Sequence, residues 1–177
     1  MKRDKALIQI NDVSLLRQMC EAALACTDAV YVMTSWPERY QSIVPSTVQF
    51  IEETNPEAPI TAFAQALPQL STDWILLLGC DLPRLDGETL QHWSVQLDRI
   101  PDAVIAFLPK HPKGWEPLCG FYRRSCFTSL KTYLDQGERS FQAWLDGESV
   151  EELSVSDRRV LLNCNTPEDL AIILDSL

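Results

Sequence analysis

The stretch Trp74-Ile75-Leu76-Leu77-Leu78-Gly79-Cys80-Asp81-Leu82-Pro83 decides how the chain is read. Its first five residues are apolar without alternation. That pattern predicts a strand covered on both faces, as in a parallel sheet, because a strand with one wet face alternates polar and apolar positions. Just beyond the strand stand a carboxylate, Asp81, and a proline that turns the chain. Strand ends of this kind are where open α/β sheets bind ligands. A lone aspartate there has the chemistry to hold a magnesium ion that bridges triphosphate oxygens while its other positions stay hydrated. The plainer reading makes Asp81 a cap for a turn or for the next helix.

Outward from this strand, helical and extended patterns alternate. In segment 14–26, Leu15, Leu16, Met19, Cys20 and Ala23 fall at helical spacing, and an apolar strand follows at 29–33. A second short strand is predicted at 48–51 and a helix at 60–67. After Pro83 come a helix at 88–97, a strand at 103–107, a loop broken by Pro109, Pro112, Gly114 and Pro117, and a strand at 118–122. Two further helices end at Gly137 and Gly147, each placed for a left-handed C-cap. Val160-Leu161-Leu162 reads as a last strand, and Pro167 opens a final helix. The alternation predicts an α/β doubly wound fold, a mostly parallel sheet with helices on both faces.

The chain of 177 residues is 46% apolar and 23% charged, which suits one domain over 1–177 with a core of its own. Its net charge of −10, with no basic run longer than Arg123-Arg124 or Arg158-Arg159, argues against nucleic acid and against anionic membranes as partners. No apolar stretch is long enough to span a bilayer and no signal-peptide core follows Met1, so a cytoplasmic protein is expected. Six cysteines without a C-x-x-C pair, and only His92 and His111 beside them, make poor material for zinc. They are expected to be reduced and mostly buried. The five tryptophans and His92 read as packing groups, and His111, alone in the proline-broken loop, as solvated.

Two other segments carry chemistry. In Asn163-Cys164-Asn165-Thr166-Pro167-Glu168-Asp169-Leu170, Thr166 and Pro167 make a well-formed helix start, and the two asparagines offer amide donors and acceptors to a polar ligand. In Met1-Lys2-Arg3-Asp4-Lys5-Ala6-Leu7-Ile8, an ionic cluster leads straight into an apolar stretch. Lys5 is a point charge suited to triphosphate oxygens, although a lysine so near a terminus is more often solvated surface.

In this order the pieces resemble the molybdenum cofactor guanylyltransferase family, whose larger group includes the sugar-nucleotide and cytidylyl transferases. The family's opening loop is L-A-G-G-x-S-x-R-M-G-x-D-K-A-L-L. Met1, Asp4, Lys5, Ala6 and Leu7 match its tail, with Lys2 where a glycine would stand. Residues 48–53 resemble its V-I-x-D strand with Glu53 for the aspartate, and Pro59-Ile60-Thr61-Ala62 its G-P-L-A-G turn with Ala58 and Ala62 for the glycines. Cys80-Asp81-Leu82-Pro83 resembles C-D-x-P, Glu116-Pro117-Leu118 resembles H/Q-P-L, and Gly137-Glu138-Arg139 resembles G-x-R. Residues 163–170 resemble N-x-N-T-P-E-D-L, the most specific of these motifs.

The resemblance implies a nucleotidyltransferase that joins GMP from GTP to the molybdenum-bearing pterin cofactor and releases pyrophosphate. It implies Lys5 and Asp81 as the catalytic pair, with Lys5 on the phosphates and Asp81 holding Mg²⁺. Lys5, Glu53 and Asp81 would bind the nucleotide, and Arg139, Asn163 and Asn165 would face the pterin. GTP and the molybdenum-pterin cofactor are the implied substrates, and other proteins of the molybdenum cofactor pathway the implied partners. Thr34 and Ser35 lie where part of the choice of base would be made, which leaves transfer from CTP, or to a sugar phosphate, as the nearest alternative. A non-catalytic relative that binds a pterin or a partner is the other. The family's first strand and glycine-rich phosphate loop have no counterpart here. Such a loop brings backbone N–H groups to the phosphates, and a doubly wound sheet needs its central strand. A start upstream of Met1 is therefore expected, with unpaired edges on the strands that would flank the missing one.

Overall fold

The computed structural model describes residues 4–164 and Asp169. The final helix expected from Pro167, and with it Asn165, lies outside the described residues. The described residues begin with one 3₁₀ turn, Lys5–Leu7, followed by a hairpin of β1 (Gln9–Ile10) and β2 (Val13–Ser14). The hairpin turns on Asn11 and Asp12, both at positive φ (50° and 63°), the geometry that two-residue hairpins need and that Asn and Asp tolerate. Ser14 then caps α1 (Leu15–Leu24) by accepting from the Arg17 amide.

Two sheets follow. In the smaller, β3 (Tyr31–Thr34) runs parallel to β4 (Gln49–Glu52), with the short α2 (Pro37–Tyr40) between them in sequence. In the larger, β5 (Trp74–Leu78), β6 (Ala106–Leu108), β9 (Cys119–Arg123) and β10 (Val150–Glu152) lie in the order β10-β6-β9-β5. A small hairpin, β7 (Lys110–His111) and β8 (Gly114–Trp115), occupies the proline-broken loop. The β6–β10 pair is parallel, whereas β9 runs antiparallel to both β5 and β6. The sheet is thus mixed. Among the described residues β5 pairs on one edge only and β3 pairs only with β4.

Helices cover both faces, which accounts for the unbroken apolar run of β5. Trp74, Leu76 and Leu78 pack with Met19, Leu90 and Trp93 of α1 and α4 (Gly87–Ser94). Ile75 and Leu77 point the other way, toward Ile60, Phe63, Leu130 and Trp144 of α3 (Pro59–Ala66), α5 (Phe127–Asp135) and α6 (Phe141–Asp146). The neighbours repeat the alternation, with Phe107 and Phe121 on the first side and Ala106, Leu108 and Tyr122 on the second. Gly120 of β9 lets the strands close up, since a Cβ there would meet the Phe107 carbonyl oxygen at 2.8 Å.

Arg123 ends β9 as a buried clamp. Its guanidinium donates to the Val104 and Ile100 carbonyls, pairs with Asp73 at 2.5 Å and stacks over Trp74. All six cysteines are free thiols and four of them are buried.

Three local expectations are corrected. Residues 160–162 do not form a strand: Arg158–Leu161 is a 3₁₀ turn, capped when Asp157 accepts from the Arg159 amide. Gly147 ends α6 with φ −92°, so only Gly137, at φ +88°, is the left-handed cap. The strand expected at 103–107 begins later, because Val104 N–H closes a turn onto the Pro101 carbonyl before the chain extends.

Candidate active site

The site forms where three distant parts of the chain meet at the end of β5. The ladder between β5 and β9 extends one residue further, with the Gly79 amide donating to the Leu118 carbonyl at 2.7 Å. The chain then turns through Cys80 and presents Asp81, whose side chain is 22% exposed. A carboxylate so placed is open to a ligand on one side and held by the fold on the other. The Lys5 ammonium lies 3.3 Å from Asp81 Oδ2 and is itself only partly exposed. The Cys164 amide donates to the Asp81 carbonyl at 2.8 Å. Cys164 is wholly buried against Ile8, Ile10 and Leu15, so the segment bearing Asn163 is sewn to the opening hairpin.

The structure therefore brings together Lys5, Asp81 and the backbone beside Asn163, whose side chain is exposed. Glu53 sits just past β4. Its amide donates to the Thr34 carbonyl at 3.0 Å, and its carboxylate lies 3.5 Å from the Ser35 hydroxyl, so it marks the ends of the smaller sheet's two parallel strands. Arg139 is engaged elsewhere. Its Nε donates to Glu57 at 2.6 Å and its Nη1 to the Leu134 and Glu138 carbonyls, in an open groove also lined by Thr54, Gln65, Phe127 and Lys131. Glu57 belongs to the loop that follows Glu53, so Arg139 ties the α5–α6 connection to the exit of β4.

Two residues of this region were given no role from the sequence. Glu116, in the position of the family's His or Gln, has its carboxyl held above the usual range. Burial is the main cause and the Asp81 charge adds to it, while His111 and Arg158 pull it back. The signal available was a charged residue set directly before Pro117 in a proline-broken loop. The second is Tyr40, whose hydroxyl donates to Asp4 at 2.7 Å and whose sequence neighbourhood gives no sign of it. Cys80 is pushed up to about 11 by burial and by the Asp81 charge, so its thiol stays protonated and serves as packing rather than as a nucleophile. His111 is exposed, with its Nδ1 accepting from the Lys113 amide.

A basic side chain and a carboxylate thus face each other at the end of a doubly covered strand in an α/β fold. Comparison with known proteins is specific. The model of the MobA-like NTP transferase domain matches residues 1–152, and the chain belongs to that family. It is 51% identical over 173 residues, 98% of this chain and 84% of the relative, to a probable molybdenum cofactor guanylyltransferase of Trichormus variabilis. A protein of the same description from Synechococcus elongatus is 45% identical over 172 residues, 96% of this chain and 89% of its own. Among solved structures, molybdopterin-guanine dinucleotide biosynthesis protein A from Archaeoglobus fulgidus superposes with a TM-score of 0.79 at 19% identity, covering 99% of this chain and 91% of its own.

Proposed function

We propose that the protein transfers GMP from GTP to the molybdenum-bearing pterin cofactor and releases pyrophosphate. The Lys5–Asp81 pair at the end of β5 carries this reading. A terminal phosphate oxygen of the pterin attacks the α-phosphorus, and the bond from that phosphorus to the β-phosphate oxygen breaks. The protein's part is to align the two and to neutralise charge. Lys5 lies on the triphosphate, and Glu53, with Thr34 and Ser35, on the nucleotide side. Asn163 and Asn165 take the pterin side, and Arg139 would join them only on leaving its pair with Glu57.

Asp81 suits a magnesium ion that arrives with the nucleotide. It is one partly exposed carboxylate, and no group of three or more His, Cys, Asp or Glu residues converges among the described residues. Triphosphate oxygens and water would then fill the remaining positions, the usual manner of Mg²⁺ at such sites. When bound, the ion neutralises charge on the transferring and leaving phosphates.

No helix among the described residues is long and apolar enough to cross a membrane. We place the protein in the cytoplasm, with GTP and the molybdenum-pterin cofactor as substrates and other proteins of that pathway as partners. The test is magnesium-dependent pyrophosphate release from GTP and from CTP with molybdenum-loaded pterin present. Release with GTP alone is expected. Equal release with CTP would overturn the choice of base and favour a cytidylyl transferase.

A further inference from the structure

We propose that Tyr40, assisted by Arg39, is a positioning residue that holds Lys5 against Asp81 by fixing Asp4; its use in turnover rests on the phosphate-binding reading of Lys5. The turn that carries Lys5 is short, so its side-chain cap matters to where it sits. Lys5–Leu7 is a single 3₁₀ turn with no buried residue, and short turns of this kind have poor hydrogen-bond geometry and no cooperative length. A lysine adds a flexible four-carbon stem, so where its ammonium sits depends on how firmly the turn sets its root.

Asp4 supplies the anchor with both oxygens. Its Oδ1 accepts from the Ala6 amide at 3.1 Å, which caps the turn. Its Oδ2 accepts from the Tyr40 hydroxyl at 2.7 Å and faces the Arg39 guanidinium at 3.2 Å. Tyr40 is a rigid post. Its ring is buried with Leu16, Cys20, Val44 and Val48, the same cluster against which Ala6 and Leu7 pack, so only the hydroxyl projects toward the turn. Burial and the Asp4 contact push that phenol up to about 12, which keeps it a donor throughout the physiological range. Removing the hydroxyl leaves Asp4 Oδ2 with the Arg39 side chain alone, which loosens the turn and lets the ammonium move off Asp81.

The arrangement has a second consequence. Tyr40 closes α2, which begins two residues after Ser35. The segment leaving the base-side end of β3 therefore also sets the lysine on the phosphate side. A nucleotide that orders residues 34–36 would thereby find Lys5 already placed.

The experiment is competitive acetylation of the full chain, with the extent at each lysine read by mass spectrometry and Lys110, Lys113 and Lys131 as internal references. Tyr40→Phe should raise the labelling of Lys5 about tenfold, the effect of losing one hydrogen bond to a charged group, and leave the three references unchanged. Asp4→Ala should do at least as much, and the double variant no more than Asp4→Ala alone, because the two residues act on Lys5 in series. Unchanged labelling of Lys5 in Tyr40→Phe would overturn the proposal. So would a parallel rise at all four lysines, which would mark a general loosening of the fold. Protection of Lys5 by magnesium and GTP in the parent chain tests the phosphate role separately: its absence would remove that role while leaving the positioning result to stand or fall on the unliganded measurements.

Discussion

The amide of Cys164 donates to the carbonyl of Asp81 at 2.8 Å, which binds the last described stretch of backbone to the turn that presents the site carboxylate. The turn at Asp81 thus depends on residues at both ends of the chain, since Cys164 is packed against Ile8, Ile10 and Leu15. Cys164→Ala keeps the amide and should cost about 1 kcal/mol in stability, the scale of a small buried truncation, with nucleotide binding unchanged. Cys164→Pro removes the donor and should weaken binding of magnesium and GTP about tenfold. Titration calorimetry of the two variants separates these effects.

Asp81 and Lys5 should fail in different ways. Asp81→Asn is expected to abolish the dependence of nucleotide binding on magnesium, whereas Lys5→Ala keeps that dependence and weakens binding at every magnesium concentration. Each loss should lower pyrophosphate release on the order of a hundredfold, as for removal of one preorganised charge from a transfer site. Binding isotherms over a magnesium series distinguish the two.

Glu116 predicts a pH dependence with a definite sign. Its folded-state pKa lies above the ordinary 4.5, so the folded state favours its neutral form. The cost of ionising it is absent below pH 4.5 and grows as pH rises through the raised folded value. Glu116→Gln should therefore melt about 1–3 °C above the parent at pH 7, with the difference closing toward pH 4. Melting curves at the two pH values check it, and a difference that grows on acidification would contradict the burial assigned to this side chain.

Arg123 should be among the costliest charges to delete. It donates to two backbone carbonyls from a side chain that is 10% exposed, so Arg123→Met leaves Ile100 and Val104 without donors and should cost about 3 kcal/mol in urea unfolding. Its partner Asp102 is fully exposed, and Asp102→Ala should leave the urea midpoint unchanged.

Where local chemistry decides the outcome, the sequence was readable. The five apolar residues of β5 need helices on both faces, and alternate residues face α1 and α4 on one side and α3, α5 and α6 on the other. Gly137 occupies the left-handed cap that a helix end invites, at φ +88°. Gly147 looked the same in sequence, but the turn after α6 closes without positive φ. Strand β10 went unread because Val150-Glu151-Glu152 has one apolar residue and two exposed carboxylates, and it is extended only because β6 offers it a parallel edge. Val160-Leu161-Leu162 misled in the opposite sense, since Asp157 caps a turn there before any strand can pair.

The candidate site was legible mainly through the family resemblance. Lys5 and Asp81 meet across 76 positions and Asp4 and Tyr40 across 36, separations over which no periodicity informs. Arg139 illustrates the limit of a short motif. G-x-R marks the residue, but only the fold reveals that its guanidinium is bound to Glu57.

The lone edge of β5 bears on how the purified protein behaves in a tube. An apolar strand with half its hydrogen-bonding groups unpaired among the described residues is a template for adding another chain. The net charge of −10 opposes such encounters at neutral pH, while salt shortens the reach of that repulsion to about 8 Å at physiological ionic strength. Concentrated stocks should hence stay clear in dilute buffer, and turn cloudy first on addition of salt or on dialysis toward the isoelectric pH of 4.6.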